Sequence, residues 1–179
     1  EALITAVEVD EASANEASFN FQNSSWVDRF NGIETDFLTF DFDQKFDLIV
    51  SNPPYYQSRL KNENSRKAQA RHESALPMAD MLEKVSDLLT NDGNFWVIVP
   101  TEIHELWMDT AVENGLSCAT NISIFGKEGG EVKRNVLEFT KTQAKIEAKL
   151  SELTIRNIDG TYTDQYIELT KEFHFNSLK

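Results

Sequence analysis

Short apolar runs that end in polar groups recur along this chain, each followed by a segment of helical period, and this alternation most restricts the fold. Ala2 to Asp10 reads as a strand buried on both faces, and Glu11 to Phe21 (EASANEASFNF) as a helix with acids in its first turn. A short strand is expected at Ile33 to Phe37, a loop through the Asp and Phe cluster to Asp43, and another buried strand at Phe46 to Ser51. Gln57 to Arg71 is polar, basic and without a period, which predicts a loop. Met78, Met81, Leu82, Val85, Leu88 and Leu89 then recur at helical spacing within Leu76 to Leu89, with Asn91-Asp92-Gly93 as the stop.

The pattern continues with a strand at Phe95 to Val99 ended by Pro100. A helix over Glu102 to Asn114 follows, carrying Ile103, Leu106, Trp107 and Ala111 on one face. Ile122 to Phe125 and Val132 to Phe139, joined through Gly126 to Gly130, predict a hairpin. Gln143 to Leu150 reads as helix, Leu153-Thr154-Ile155 as a short strand and Tyr166 to Phe173 as a terminal helix. Together these elements predict one α/β domain over residues 1–179, its sheet mostly parallel with the hairpin as an antiparallel edge. In such sheets ligands bind outside the carboxyl ends of the strands.

Composition narrows the partners. A formal net charge of -13 argues against indiscriminate binding to nucleic acid or anionic membrane, so a polyanionic substrate must be met by a local basic patch. No apolar run reaches the roughly 18 to 20 residues that span a bilayer, and the first residues lack a basic segment ahead of an apolar core. A cytoplasmic protein is the expectation. Cys118, the single cysteine, has no zinc-ligand spacing and reads as a buried small residue. No metal site is expected.

Glu8, Asp36 and Asn52 fall at expected strand carboxyl ends, so all three could point into one crevice. A carboxylate at such a position can accept from both hydroxyls of a ribose, which suits Glu8; alternatively Glu8 or Asp10 simply caps the helix that follows. Asn52-Pro53-Pro54-Tyr55 is the richest stretch. Its first proline fixes φ, removes a donor and restricts Asn52, leaving carbonyl groups to accept from a ligand. An asparagine carbonyl with a backbone carbonyl could grip the two hydrogens of an exocyclic amine while Tyr55 stacks on the ring that bears it. An ordinary strand-ending turn is the plainer alternative. Arg59, Lys61, Arg66, Lys67, Arg71 and His72 follow in the loop, either as a phosphate-binding patch or as a solvated charged loop. A weaker basic group is Lys127 with Lys133 and Arg134 at the hairpin, and His104 reads as a helix surface residue.

Asp47 to Tyr56 (DLIVSNPPYY) resembles the catalytic motif of S-adenosylmethionine-dependent amino methyltransferases, which modify adenine N6, guanine N2 or glutamine N5. Three stretches are similar to the bacterial tRNA(Val) adenine-N6 methyltransferases: Ala6 to Trp26 (AVEVDEASANEASFNFQNSSW), SNPPYYQ with Gln69 to Pro77 (QARHESALP), and Leu153 to Phe173 (LTIRNIDGTYTDQYIELTKEF). That resemblance implies a Rossmann-like sheet, S-adenosylmethionine as methyl donor and tRNA as substrate, with methylation at the adenine beside the anticodon, position 37. It implies that Glu8 binds the cofactor ribose, that Asp36 and Phe37 lie beside its adenine, and that Asn52 touches both cofactor and base. Asn52, Pro53, Pro54 and Tyr55 would form the catalytic corner, with Tyr56 either stacking on RNA or packing in the core. A glutamine-N5 protein methyltransferase and a non-catalytic RNA-binding fragment of the fold are the alternatives, and the basic loop favours RNA over protein.

Methyltransferases of this fold carry a first strand with a glycine-rich loop for the methionine part of the cofactor. The seven glycines here include no GxG after a strand near the start, and Glu1 leads directly into the first strand. The expectation is of a chain truncated at its N-terminus, without that strand and loop, that binds S-adenosylmethionine weakly.

Overall fold

A computed structural model describes residues 2–53, 78–141 and 147–173. The chain divides into two compact units, Glu1–Asp43 and Gln44–Lys179. The first unit is a strand, a helix and a strand: β1 (Ile4–Glu8), α1 (Glu11–Gln22) and β2 (Phe30–Glu34), with a short 3-10 turn at Val27–Arg29. β1 and β2 are parallel, in register from Ile4 opposite Phe30 to Glu8 opposite Glu34. Phe21 of α1 stacks on Phe30 with centroids 4.3 Å apart. Gly32 lies on the same face of β2 beside the Phe21 ring, where a Cβ would make an ordinary contact at 3.6 Å.

β1 is not buried on both faces as the apolar run predicts. Ile4 is 44% exposed, and Leu3 and Val9 more so. Two strands and one helix supply too few side chains to cover both faces of a strand, whatever its sequence period. β2 starts three residues ahead of the expected strand and stops at Glu34, where the Thr35 amide donates to the Glu8 carbonyl at 2.9 Å and ties the two strand ends together.

The second unit holds β3 (Phe46–Ser51), helical residues 78–88 as α2, β4 (Leu89–Pro100), α3 (His104–Glu113), β5 (Ser117–Phe125), β6 (Val132–Thr140), β7 (Lys149–Thr154) and α4 (Asp164–Thr170). Short 3-10 turns precede α3 at Thr101–Ile103 and follow α4 at Lys171–Phe173. The sheet order is β3-β4-β6-β5-β7, with β3 parallel to β4, β6 antiparallel to both its neighbours, and β7 parallel to β5. Four strands therefore point one way and β6 alone points back, which is the mostly parallel α/β sheet expected. The β5–β6 hairpin forms as the sequence predicts but lies inside the sheet, because β7 adds along β5 and becomes the outer strand. Lys149 and Leu150, expected at the end of a helix, open that strand: main-chain pairing with β5 overrides their local helix preference. The rest of that expected helix, residues 142–146, lies outside the described residues.

The core sits where α2 and α3 meet the sheet. Leu82, Val85, Phe95, Val99, Ala111, Leu137 and Phe139 are fully buried, with Leu89, Val97, Leu116 and Trp107 nearly so. Each such side chain removed from water contributes about 1.5–3 kcal/mol before ordering costs are set against it. Phe95 and Phe139 are cross-strand partners whose rings stack 6.2 Å apart. Cys118 is buried beside this core, its thiol donating to the Thr120 carbonyl at 3.3 Å, and burial pushes that thiol's pKa up. Among the described residues no helix is long and apolar enough to cross a membrane.

Asn91-Asp92-Gly93 does not act as a free stop after the helix. α2 passes at once into β4, and residues 90–93 form an excursion within the strand: Leu89 pairs with Phe46, and the next paired residue, Asn94, lies opposite Leu48. The Thr90 hydroxyl fastens the excursion by donating to Asp47 at 3.0 Å. Gly93 is required by close approach, since a Cβ there would stand 2.9 Å from the Phe46 carbonyl oxygen, which belongs to the neighbouring strand. Gly93→Ala is expected to destabilise the fold by about 1–3 kcal/mol, read as a lower urea midpoint at unchanged slope.

Candidate active site

The first unit brings together two of the expected site residues. Glu8 ends β1 and Asp36 stands two residues beyond β2, so both lie at the carboxyl ends of adjacent parallel strands. Glu8 is exposed, and its Oε1 accepts from the amides of Val9 at 2.8 Å and Asp10 at 2.9 Å. Those two bonds hold the carboxylate in place and leave Oε2 with no partner among the described residues. Asp10 has the plainer role: it is the N-cap of α1, with Oδ1 accepting from the Ser13 amide at 2.8 Å. Asp36 is exposed and its Oδ1 accepts from the Leu38 amide at 2.8 Å. Its carbonyl takes the amides of Thr39 and Phe40, so the chain turns immediately. Phe37 is half-buried, its ring 5.9 Å from that of Phe42, which in turn meets Phe40 edge-on at 4.8 Å.

In the second unit β3 delivers Asn52 to its carboxyl end. Ser51 closes the strand opposite Val97, and Asn52 follows exposed, with Pro53 half-buried behind it. Pro54, Tyr55, Tyr56, Arg59, Lys61, Arg66, Lys67, Arg71 and His72 lie outside the described residues, as does the segment Gln69 to Pro77. Asn52 belongs to one unit, and Glu8, Asp36 and Phe37 to the other. Among the described residues no three His, Cys, Asp or Glu side chains gather as a metal site.

A polar cluster that the sequence reading missed lies just past β4. Asn135 of β6 is 5% exposed, and its amide is fully engaged: Nδ2 donates to Asn121 Oδ1 at 3.0 Å and to Ser123 at 3.4 Å, and Oδ1 accepts from the Thr101 hydroxyl at 3.2 Å. Asn121 thereby turns its own Nδ2 to His104 Nε2, 3.0 Å away, which makes Nε2 an acceptor and sends the Nδ1 hydrogen to Glu105 at 3.1 Å. His104 is accordingly not a surface residue; its side chain is 17% exposed and pins the first turn of α3 to β5. Two asparagines inside otherwise apolar strand patterns were the available signal, because asparagine is depleted from strand interiors unless its amide has partners.

The fold that carries these groups is that of the methyltransferases. A predicted O-methyltransferase from Agrobacterium tumefaciens superposes with a TM-score of 0.69 at 15% identity, covering 93% of this chain and 76% of that one. The glycopeptide N-methyltransferase MtfA, solved with S-adenosylmethionine, superposes at 0.57 and 10% identity, covering 77% and 72%. At these identities the likeness is one of fold. Residues 3–114 match the family model of the Eco57I restriction-modification methylase. A tRNA1(Val) (adenine(37)-N6)-methyltransferase from Bacteroides thetaiotaomicron is 34% identical over 177 residues, 98% of this chain and 73% of that protein. Its counterpart in Photorhabdus laumondii is 32% identical over 173 residues, 96% and 70%. This chain belongs to the tRNA1(Val) (adenine(37)-N6)-methyltransferase family.

The capping role of Asp10 can be read from pH. Hydrogen bonds from Ser13 hold the Asp10 carboxyl below its ordinary value of 3.8. Those bonds exist only in the folded state, so their contribution is complete above pH 3.8 and disappears as the pH falls through the lower folded value. Asp10→Asn keeps a capping side chain without the ionisation. It is expected to flatten the acid limb of the stability curve below pH 3.8, measured by urea unfolding at stepped pH against the parent.

Proposed function

We propose that this chain is the catalytic part of an S-adenosylmethionine-dependent methyltransferase acting on the N6 amine of adenine 37 in tRNA1(Val), in the cytoplasm. The observation that carries the reading is Asn52-Pro53 at the carboxyl end of a parallel strand, in a chain of this family. The first unit suits the cofactor: Glu8 offers an unpartnered carboxylate oxygen at a strand end, where a ribose hydroxyl can donate, and Asp36 and Phe37 follow the adjacent strand end. S-adenosylmethionine, when bound, supplies an electrophilic methyl group on a sulfonium.

The protein's own part is to prepare the amine. The Asn52 side-chain carbonyl and the Pro53 backbone carbonyl accept the two amine hydrogens and draw them out of the base plane, which frees the nitrogen lone pair for an in-line displacement. Pro53 has no amide hydrogen, so its own backbone adds no donor at this corner. The adenine must leave its stack to reach Asn52, and Tyr55, with Tyr56, gives it an aromatic face. Arg59, Lys61, Arg66, Lys67, Arg71 and His72 then meet the neighbouring phosphates.

Transfer by the full-length enzyme of a labelled methyl group from S-adenosylmethionine to unmodified tRNA1(Val), and none to the same tRNA with guanine at position 37, is the expected result. Counts in a glutamine-bearing protein and none in tRNA would overturn it. Asn52→Ala is expected to lower kcat by about 10²–10³-fold, the range for losing a group that contacts the reacting centre, while most of the tRNA affinity remains. Unchanged turnover would remove Asn52 from the mechanism.

A further inference from the structure

Past β7 the chain folds into a small, tightly tied hairpin that the methyl-transfer chemistry does not use. Arg156 and Tyr162 face each other across an antiparallel bridge, and the Asn157 amide donates to the Thr161 carbonyl at 2.8 Å. Gly160 takes φ +92°, a turn conformation other residues rarely adopt. The exposed Asp159 carboxylate accepts from both the amide and the hydroxyl of Thr161, and those bonds, with the nearby Lys127 charge, hold its pKa below the ordinary value. Exposed Arg156 is held on three sides: Nη1 donates to the Gly160 carbonyl at 2.7 Å, Nη2 to the Tyr162 hydroxyl at 2.9 Å, and the guanidinium lies 4.2 Å from the Tyr162 ring centroid. Tyr162 itself stacks on Tyr166 of α4. A guanidinium fixed in this way has given up its side-chain freedom before any ligand arrives and keeps further donors to offer.

Its place in the sheet gives this arginine a use. β3, β4, β5 and β7 end on one edge, so Asn52 after β3 and Arg156 after β7 share that edge, four strand spacings or about 19 Å apart. The β5–β6 turn lies between them and is joined to the tail hairpin by the Glu128 amide, which donates to the Arg156 carbonyl at 2.8 Å. Lys127, Lys133 and Arg134 stand exposed on that turn or directly after it. Of the acids on the two turns, Asp159 is bonded to Thr161 and lies within the field of Lys127, Glu131 is paired with Lys133 at 3.3 Å, and Glu128 stands beside them, so the four cations Lys127, Lys133, Arg134 and Arg156 face three acids. On a chain of net charge -13 this stretch of edge has the opposite sign.

We propose that the β5–β6 turn and the tail hairpin form a second tRNA contact, in which Lys127 and Arg156 take backbone phosphates several nucleotides away from the target adenine. The inference rests on the tRNA reading above and adds a surface to it. The test is the KM for tRNA of the native enzyme across a series of salt concentrations, for Lys127→Glu, Arg156→Gln and, at the opposite end of β7, Lys149→Glu. Lys127→Glu and Arg156→Gln are each expected to raise KM about 5–10-fold and to reduce the salt slope by about one phosphate contact, whereas Lys149→Glu changes neither. Lys127 is exposed and makes no side-chain hydrogen bond among the described residues, and a urea midpoint matching the parent's checks that its variant folds. Unchanged KM and slope for Lys127→Glu, in an enzyme whose parent methylates tRNA, would overturn the contact and leave Arg156 as a staple of its hairpin. Absence of transfer by the parent enzyme would overturn the tRNA reading, and this contact with it.

Discussion

β6 runs antiparallel between β4 and β5, and the working edge of the second unit depends on that placement. A hairpin reverses the chain, so β5 and β6 must oppose each other; by pairing with β4 as well, β6 turns β5 back to the direction of β3 and β4. β7 then adds parallel to β5, and the carboxyl ends of four strands fall on one side. Polar residues that are distant in sequence, Asn52, Thr101, Lys127 and Arg156, share an edge for this reason. The buried stack of Phe95 on Phe139 across β4 and β6 fixes the register. A slip of β6 by one residue would turn Asn135, Leu137 and Phe139, which share one face, to the other side of the sheet and strip the Asn135 amide of its partners.

Legibility in the sequence followed the range of the interactions concerned. α1, α2 and α3 were readable because helix period, first-turn acids and end signals act within one or two turns of chain. β3, β4 and the β5–β6 hairpin were readable because apolar runs and a glycine-bearing turn are local signals too. β7 was not: Lys149 and Leu150 carry helical preference, and only the open edge of β5, brought there by tertiary folding, makes them a strand. The excursion at residues 90–93 escaped for a similar reason. Asn-Asp-Gly looks the same whether it stops a helix or bends a strand, and the Phe46 carbonyl that decides between them lies more than forty residues away.

The candidate site divides along the same line. Glu8 and Asn52 could be picked out from position alone, since a polar group directly after an apolar strand is placed by the strand itself. The asparagine cluster could not be, because its meaning lies in the partners. Asn121 and Asn135 stand fourteen residues apart on different strands and meet only once the hairpin has closed. Their amides lock Thr101 and His104, the residues through which the chain leaves β4, so α3 starts from a fixed point on the edge that carries Asn52. A buried amide left without these bonds would cost about 1–3 kcal/mol, which accounts for the completeness of the set.

An acidic enzyme acting on a polyanion appears contradictory only if charge is treated as uniform. Net repulsion weakens every unspecific encounter with RNA, whereas a few fixed cations decide the specific one, because their field is felt within about a Debye length of 8–10 Å while the mean charge is screened. On this chain nine of the seventeen lysines and arginines fall within Arg59 to His72 or at the two turns near Arg156, and the acids lie largely elsewhere. In the proposed arrangement, RNA that reaches both groups at once gains from each, and RNA that reaches one meets an otherwise acidic chain. Under the two proposed contacts, selectivity for a folded tRNA over an arbitrary strand comes from engaging both at once, a requirement that neither contact carries alone.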